Sequence, residues 1–476
     1  MRARPHVRVA CVTGVAALIA SNAHAQQVGV APQAPTPPPS VSAASPRPNI
    51  AASETTVDGA AADVQPIDLA TTLKLAGMND IDLALVSEAE NQAHAANDAA
   101  TLKFFPWLNV GAGYFKETGA AQAFGGKVSS VDEQLYQRGV TVNLPLDVGG
   151  AVFQKLAAQQ LQKAAAYDTQ AQRNVTLFAA ASAYFDLVDA VAGEDIAHEA
   201  VRISQDYEQQ LDRGYRAGLI NRSELLRITV QRQHNEVLLR QAQALVLEAS
   251  AILATRLRLD PTVALTPAER IVAPPTLVPV DMRIQDLVKD ALAFRPELKA
   301  SAASVAAADE QRRGAKYGPL IPSLIGQATF GQIRGGADGN LSDYMSSHQY
   351  QVGLNWRLGP GGLFDFSRTE AANSQLRRQQ LTGDRLHDDI EEEVVTAYQA
   401  ARAGLDQMGL ARRNVEIAQE SLALSEQRKE LGVYAILEVV QAQQDLTQAR
   451  RDYAQALTQY AKAQYGLAHA TARIGE

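Results

Sequence analysis

The second half of this chain repeats the first. Six landmarks recur in the same order at an offset of roughly 212 to 218 residues, and a duplication on that scale constrains the fold before any local propensity does. Asp68-Leu69 answers Asp286-Leu287, and Pro106 answers Pro322. Asn143-Leu144-Pro145-Leu146-Asp147-Val148-Gly149-Gly150 answers Asn355-Trp356-Arg357-Leu358-Gly359-Pro360-Gly361-Gly362 without a gap. Ala183-Tyr184 then answers Ala397-Tyr398, and Gly218 with Glu224 answers Gly432 with Glu438. Each copy reads as a short helix, two strand-like segments and a very long helical tract.

The N-terminus carries Arg2, Arg4 and Arg8, an apolar run from Val9 to Ala20, and the small-residue sequence Ala23-His24-Ala25. Residues 1–25 are expected to be a secretory signal peptide, because about 12 apolar residues are too few to anchor a helix across a bilayer. Cys11 is the one cysteine, so the mature chain would have no thiol, disulfide or cysteine metal site. Losing three arginines takes the formal net charge from −8 to about −11, which argues against nucleic acid as a partner. Residues 26–65, rich in Ala and Pro, bury too little to order themselves and read as a disordered leader or a tether.

No mature stretch holds 18 consecutive apolar residues, so a membrane crossing would have to use strands in a closed barrel. Leu108, Val110, Ala112 and Tyr114 alternate with Trp107, Asn109, Gly111 and Gly113. Val140, Val142, Leu144 and Leu146 alternate with Gly139, Thr141, Asn143 and Pro145. In the second copy Val352, Leu354, Trp356 and Leu358 alternate with Gln351, Gly353, Asn355 and Arg357, after a weaker segment from Ile321 to Phe330. The four strands, over about 105–115, 136–147, 321–331 and 348–358, have the length that spans a bilayer when tilted. Their aromatic residues near the ends suit interfacial girdles, although sandwich strands with one core face would alternate in the same way. The polar stretches from Lys116 to Leu135 and from Gln332 to His348 read as exposed loops. Since the smallest membrane barrels need about eight strands, several chains would have to share one.

Proline is missing from Leu146 to Asp260 and again from Gly361 to Glu476. Each tract reads as a helical hairpin with one arm of about 65 residues, about 100 Å at 1.5 Å per residue. The tips are expected at about 214–222 and 429–437. Val439, Ala442, Leu446, Ala449, Tyr453, Ala456 and Tyr460 form a heptad seam whose alanines allow close helix approach. The matching seam from Leu225 to Leu253 is interrupted by Arg232 and Asn235. The arm after Gly218 and the helix from about Ile284 are expected to stack end to end beside one long arm, with the linker 259–283 at the waist between repeats 66–258 and 284–473.

A secreted, duplicated strand-strand-long-helix chain with these tips resembles the TolC-like outer-membrane efflux family, the outer membrane factors of tripartite efflux pumps and type I secretion systems. The resemblance covers about residues 66–473. It is most specific from Gly432-Val433-Tyr434-Ala435-Ile436-Leu437-Glu438 through Gln441, and at Ala217-Gly218-Leu219-Ile220-Asn221. It implies an α plus transmembrane β-barrel fold, in which three chains pool four strands each into a twelve-stranded outer-membrane barrel above a periplasmic helical tube. It also implies an exit duct for an inner-membrane transporter, joined through a periplasmic adaptor, with no catalytic residue and no cofactor. By the same resemblance Gly218, Leu219, Gly432 and Val433 are adaptor contacts, and Glu438 lines a constriction, with Gln441 where a second acid is expected and Glu224 as the first-repeat counterpart. Turn geometry explains the glycines equally well.

Two other readings remain. A periplasmic coiled-coil scaffold or adaptor without a pore would share the long hairpins, but such proteins carry one hairpin rather than two preceded by strand pairs. For an enzyme, His94, His198, His234, His348, His387 and His469 are scattered without metal-ligand spacing. The acidic run Asp388, Asp389, Glu391, Glu392 and Glu393 reads as a solvated helix face rather than a cation site.

Overall fold

The computed structural model describes residues 65–122, 126–269, 276–337, 339–430 and 436–474. The signal peptide and nearly all of the leader lie outside them. The first repeat opens with β1 (Gln65–Ile67), α1 (Leu69–Asn79) and α2 (Ile81–Leu102), and continues through β2 (Trp107–Gln122) and β3 (Val128–Leu146) into α3 (Val148–Arg216) and α4 (Arg222–Arg256). After β4 (Leu265–Pro267), the second repeat runs through α5 (Ile284–Phe294), α6 (Pro296–Tyr317), β5 (Ser323–Ala337), β6 (Met345–Asn355), α7 (Phe366–Glu430) and α8 (Ile436–Ala470). At 69 and 65 residues, α3 and α7 each reach about 100 Å.

Acidic caps start α1, α2 and α3. Asp68 accepts from the Thr71 N–H at 3.0 Å, Asp80 from Leu83 at 2.9 Å and Asp147 from Gly150 at 3.2 Å, satisfying donors that a helix start leaves open. Asp365 takes hydrogen bonds from the Ser367 hydroxyl and the Gly361 and Arg368 amides, which pull its carboxyl down to about 2. Here the copies differ. Gly149 and Gly150 sit in the first turn of α3, whereas Gly359 and Gly361, both at positive φ around Pro360, make a turn before α7 begins. The gapless sequence match therefore does not carry over to matched backbone.

The four long strands form one antiparallel sheet in the order β2-β3-β5-β6. They are longer than the apolar alternation indicates. Most of the polar stretches expected to be loops is strand, up to Gln122 and Ala337 and again from Val128 and Met345, with Lys116 opposite Gln134, Glu117 opposite Glu133 and Gln134 opposite Gly336. Alternation stops there because both faces are polar, but the backbone ladder does not depend on side chains. At the other end β6 stops at Asn355, short of the expected 358. Register puts Leu108, Val142, Ala328 and Tyr350 side by side on one face and Asn109, Thr141, Gln327 and Gln349 near them on the other. One face is apolar and the other polar. Gly139 lies opposite Gly331, where a Cβ would come within 2.5 Å of the Phe330 carbonyl, so only glycine admits this close approach.

The helices pack as two continuous rods with half-length partners. α2 runs antiparallel to the first half of α3, held by Lys155 Nζ to Asn97 Oδ1 at 2.7 Å and Thr169 to Glu90 at 2.7 Å. α4 covers the second half, through Thr229 to Glu208 at 2.6 Å and the Asn235 amide to the Ala200 carbonyl at 3.2 Å. α6 and α8 pack against both rods, at the strand end and the tip end respectively. This corrects the expected stacking: α4 lies in line with α2, and α6 in line with α8. Helix lengths alone fit either pairing, and the side-chain contacts decide it.

Two apolar cores meet at the waist. Ile67, Tyr184, Phe185, Leu187, Leu253 and Leu257 form one; Leu287, Ile390, Val394, Tyr398 and Leu467 form the other. The duplicated Ala-Tyr and Asp-Leu landmarks thus mark duplicated cores. β1 pairs in parallel with β4 beside the first core, and Ser250 Oγ accepts the Leu265 N–H at 2.7 Å. Polar closure comes from Arg295, which pairs with Glu297 at 2.9 Å and with Glu393; Glu393 also lies 3.1 Å from His469 Nδ1, and the His469 ring stacks on Phe178. The acidic run is therefore not wholly a solvated face, since Glu393 turns inward.

Burial disfavours the Glu393 charge, but hydrogen bonds from His469 and Arg295 outweigh it and hold the carboxyl at about 2, against 4.5 ordinarily. A depressed pKa stabilises the fold above about 4.5 and loses that contribution as pH falls toward 2. Thermal melts from pH 6 to pH 3 should therefore fall less steeply for Glu393→Gln than for the parent; parallel curves would exclude Glu393 from the acid response. Phe185→Ala, at a site only 1 % exposed, should cost about 3–5 kcal/mol in denaturant unfolding.

Candidate functional site

The chemistry-bearing end of a tube is its tip, and the first tip is built by a glycine. Gly218 has φ +73°; its N–H donates to the Tyr215 carbonyl and the Leu219 N–H to the Gly214 carbonyl, both at 2.9 Å. This left-handed cap closes α3 and turns the chain into α4 within five residues. Leu219 is left 66 % exposed at the end of the molecule. Glu224, in the first turn of α4, is half-buried, and its N–H bonds the Asn221 carbonyl at 3.1 Å.

At the second tip Gly432 and Val433 lie outside the described residues. Glu438 stands in the first turn of α8, and its Oε1 is 2.5 Å from Arg428 Nη1 on α7. The carboxylate is thus partnered across its own hairpin, where the sequence reading named no partner for it. Both side chains are substantially exposed, which places the pair in the range of about 0–1 kcal/mol. Gln441, in place of the expected second acid, donates to Asp445 at 2.9 Å, and Gln448 donates to Asp452 at 2.7 Å. Glu438, Gln441, Asp445, Gln448 and Asp452 follow each other in steps of three and four along one stripe of α8, beside the buried stripe of Val439, Ala442, Leu446 and Ala449. Sequence reasoning missed Arg428, Asp445 and Asp452, although the helical spacing of the two acids was a readable signal.

The hairpins also touch each other. Tyr207 Oη on α3 donates to Glu426 on α7 at 3.2 Å, and desolvation, reinforced by the Glu426 charge, pushes its phenol up to about 12, so it stays a neutral donor. Beside it α3, α4 and α8 line an open cavity of about 220 Å³, which Tyr207 shares with Ile203, Ile228, His234, Gln443 and Arg451. Arg232, the polar break in the first seam, pairs with Glu208 at 2.6 Å and with Glu236. The structure therefore brings Glu438, Gln441 and the lower half of the first hairpin to one end of the molecule, with Gly218 and Leu219 at its extremity.

The profile of the family described as "Outer membrane efflux protein" matches residues 72–257 and 287–473, one segment on each repeat. The chain belongs to that family. This outer membrane efflux protein also shares its fold with solved structures. The Campylobacter jejuni CmeC outer membrane channel superposes with a TM-score of 0.74 at 17% identity, over 86% of each chain. The outer membrane protein VceC from Vibrio cholerae gives 0.69 at 16% identity, over 85% of this chain and 95% of that one. The Neisseria gonorrhoeae MtrE outer membrane channel, in its open state, gives 0.67 at 16%, over 85% and 88%. No curated protein sequence matches significantly. The family is one of channels rather than enzymes, its members lie in the outer membrane, and the pore-less scaffold reading has no support.

Gly218→Ala tests the first tip. No atom lies within 4 Å of the added methyl, so backbone strain alone sets the cost, about 1–2 kcal/mol. Hydrogen exchange of the Leu219 amide should quicken by roughly tenfold; unchanged exchange would mean that the turn does not need glycine.

Proposed function

We propose that this outer-membrane efflux channel works as a trimer whose helical tube meets a periplasmic adaptor at its tips, so that cargo delivered by an inner-membrane transporter leaves through one continuous duct. One observation carries the reading: a four-stranded sheet, apolar on one face and polar on the other, has both outer edges unpaired and continues into helices about 100 Å long. Strand edges cannot remain open in lipid, so other copies must supply the missing strands. Three copies give twelve strands. The helices agree, since α4 exposes Val230, Val237 and Ile252 and α7 exposes Leu410, Ile417 and Leu424, stripes at heptad or near-heptad spacing that nothing among the described residues covers.

Within that assembly the acid and amide stripe from Glu438 to Asp452 faces the tube axis near the tips. Three Arg428–Glu438 pairs form the constriction, with the Tyr207–Glu426 bond tying the hairpins in their closed arrangement. Gly218 and Leu219, with Gly432 and Val433, are the adaptor contacts, and Glu224 flanks them. The polar inner face of the sheet, including Thr141 and Thr329 with hydroxyls 3.1 Å apart, lines a wet exit.

Mild-detergent extraction and mass measurement should give three chains per particle, and a monomer would end the shared-barrel reading. In planar bilayers Arg428→Gln leaves three carboxylates to repel one another and should raise conductance and cation preference. Glu438→Gln should lower cation preference. Identical currents from both variants would remove the pair from the constriction.

A further inference from the structure

On the apolar face of the sheet, the row of Val110, Val140 and Phe330 is apolar on three strands and closes on His348 of β6. The next row sets Arg138 beside Gln332, and the one after it sets Tyr136 between Tyr114 and Arg334. From Leu146 to Tyr136 is about 33 Å of strand at about 3.3 Å per residue, hence about 25 Å of height at a tilt of about 40°. That equals the apolar band of a membrane barrel, so these rows stand at its outer boundary.

The two guanidiniums gather on one ring. Arg138 lies 4.3 Å from the centre of Tyr344 and Arg334 4.8 Å from it, while Arg334 is also 4.6 Å from Tyr136. Arg138 donates to Gln332 Oε1 from Nε and Nη2, at 3.1 and 2.7 Å, which leaves Nη1 without a hydrogen bond among the described residues. Among the described residues neither arginine has a carboxylate within ion-pair distance, and Lys116 on the same face is already paired with Asp132 at 3.2 Å. Among the described residues Arg334 donates no hydrogen bond; its Nε is buried, so its Nη groups are the donors left to a ligand. Two fixed positive charges with spare donors thus crown an apolar surface.

We infer that Arg138 and Arg334 form a site for an anionic lipid headgroup of the outer leaflet that carries a phosphomonoester rather than a zwitterionic phosphodiester, an inference that rests on the lipid-facing reading of the sheet. Guanidiniums match phosphate oxygens through paired N–H donors, and stacking on tyrosine fixes their planes without neutralising them. Arg138 starts below the boundary and reaches up to it along apolar surface. The apolar rows beneath select lipid over free phosphate, because acyl chains have a surface to cover there and an inorganic ion does not.

The test uses the full assembly in dodecylmaltoside, with native mass spectrometry after addition of diphosphoryl lipid A, dioleoylphosphatidylcholine, or lipid A together with millimolar inorganic phosphate. Lipid A should be retained at up to one molecule per chain, phosphatidylcholine should not, and inorganic phosphate should not displace lipid A. The double variant R138Q/R334Q should weaken retention by roughly tenfold or more, the loss of charge-assisted hydrogen bonds. R138K/R334K, which keeps charge without the fork, should fall between. Should the double variant fail to assemble, R138Q and R334Q singly give the same reading. Equal retention of lipid A by the variants, equal retention of phosphatidylcholine, or displacement by inorganic phosphate would each overturn the site. Flotation with phosphatidylcholine vesicles separates the two readings: protein that does not float refutes the lipid-facing sheet, and protein that floats without preferring lipid A refutes only the arginine site.

Discussion

Every N–H and C=O that enters hydrocarbon needs a partner, and this sheet completes three ladders while leaving the outer edges of β2 and β6 open. In water that would be a hazard of aggregation; in lipid each unpaired group costs several kcal/mol, so the chain is incomplete alone. The rest of the molecule is consistent with that incompleteness. Apolar positions of α4 and α7 remain exposed within one chain, and an 18-residue window of α4 is apolar enough to resemble a membrane span although only 28% of it is buried.

Stability is concentrated at the waist, where duplicated landmarks become duplicated cores. Tyr184 and Tyr398 occupy corresponding places, but the second is anchored by a hydrogen bond to the Val280 carbonyl at 3.1 Å. The linker is thereby drawn into the core rather than merely spanning the repeats. Arg295, 6 % exposed at its side chain and shared between Glu297 and Glu393, closes the same region with charge that is fully compensated. No disulfide assists, since Cys11 falls in the expected signal peptide.

Much of this architecture is legible in residue order, because repeats, proline-free tracts and period-two alternation are local signals. The lipid-spanning part of each strand is readable for that reason: Val140, Val142, Leu144 and Leu146 must share one face. Beyond Arg138 the strand becomes invisible, since a polar ladder in water needs no pattern. Which half-length helices stand in line is likewise unreadable, because Lys155 with Asn97 and Asn235 with the Ala200 carbonyl are long-range contacts that no spacing announces. The tip shows the same limit. Glu438 stands out by its place in the repeat, but Arg428 precedes it by ten residues on the opposite arm, and only the closed hairpin makes them neighbours.

The two copies have not kept the same seam. Near its tip the first hairpin is joined by Arg232 to Glu208, Thr229 to Glu208 and Asn235 to a backbone carbonyl beside buried Ile228, whereas the second carries one polar pair, Arg428 with Glu438, and buries Val439, Ala442, Leu446 and Ala449 behind it. Polar joints exchange readily with water and weaken with ionic strength, while an alanine-rich apolar seam is indifferent to both. The two arms thus differ in mechanical compliance. A ring assembled from them alternates soft and stiff staves, so a uniform push at the tips would deflect one kind further than the other and dilate the ring unevenly, with three-fold rather than six-fold symmetry.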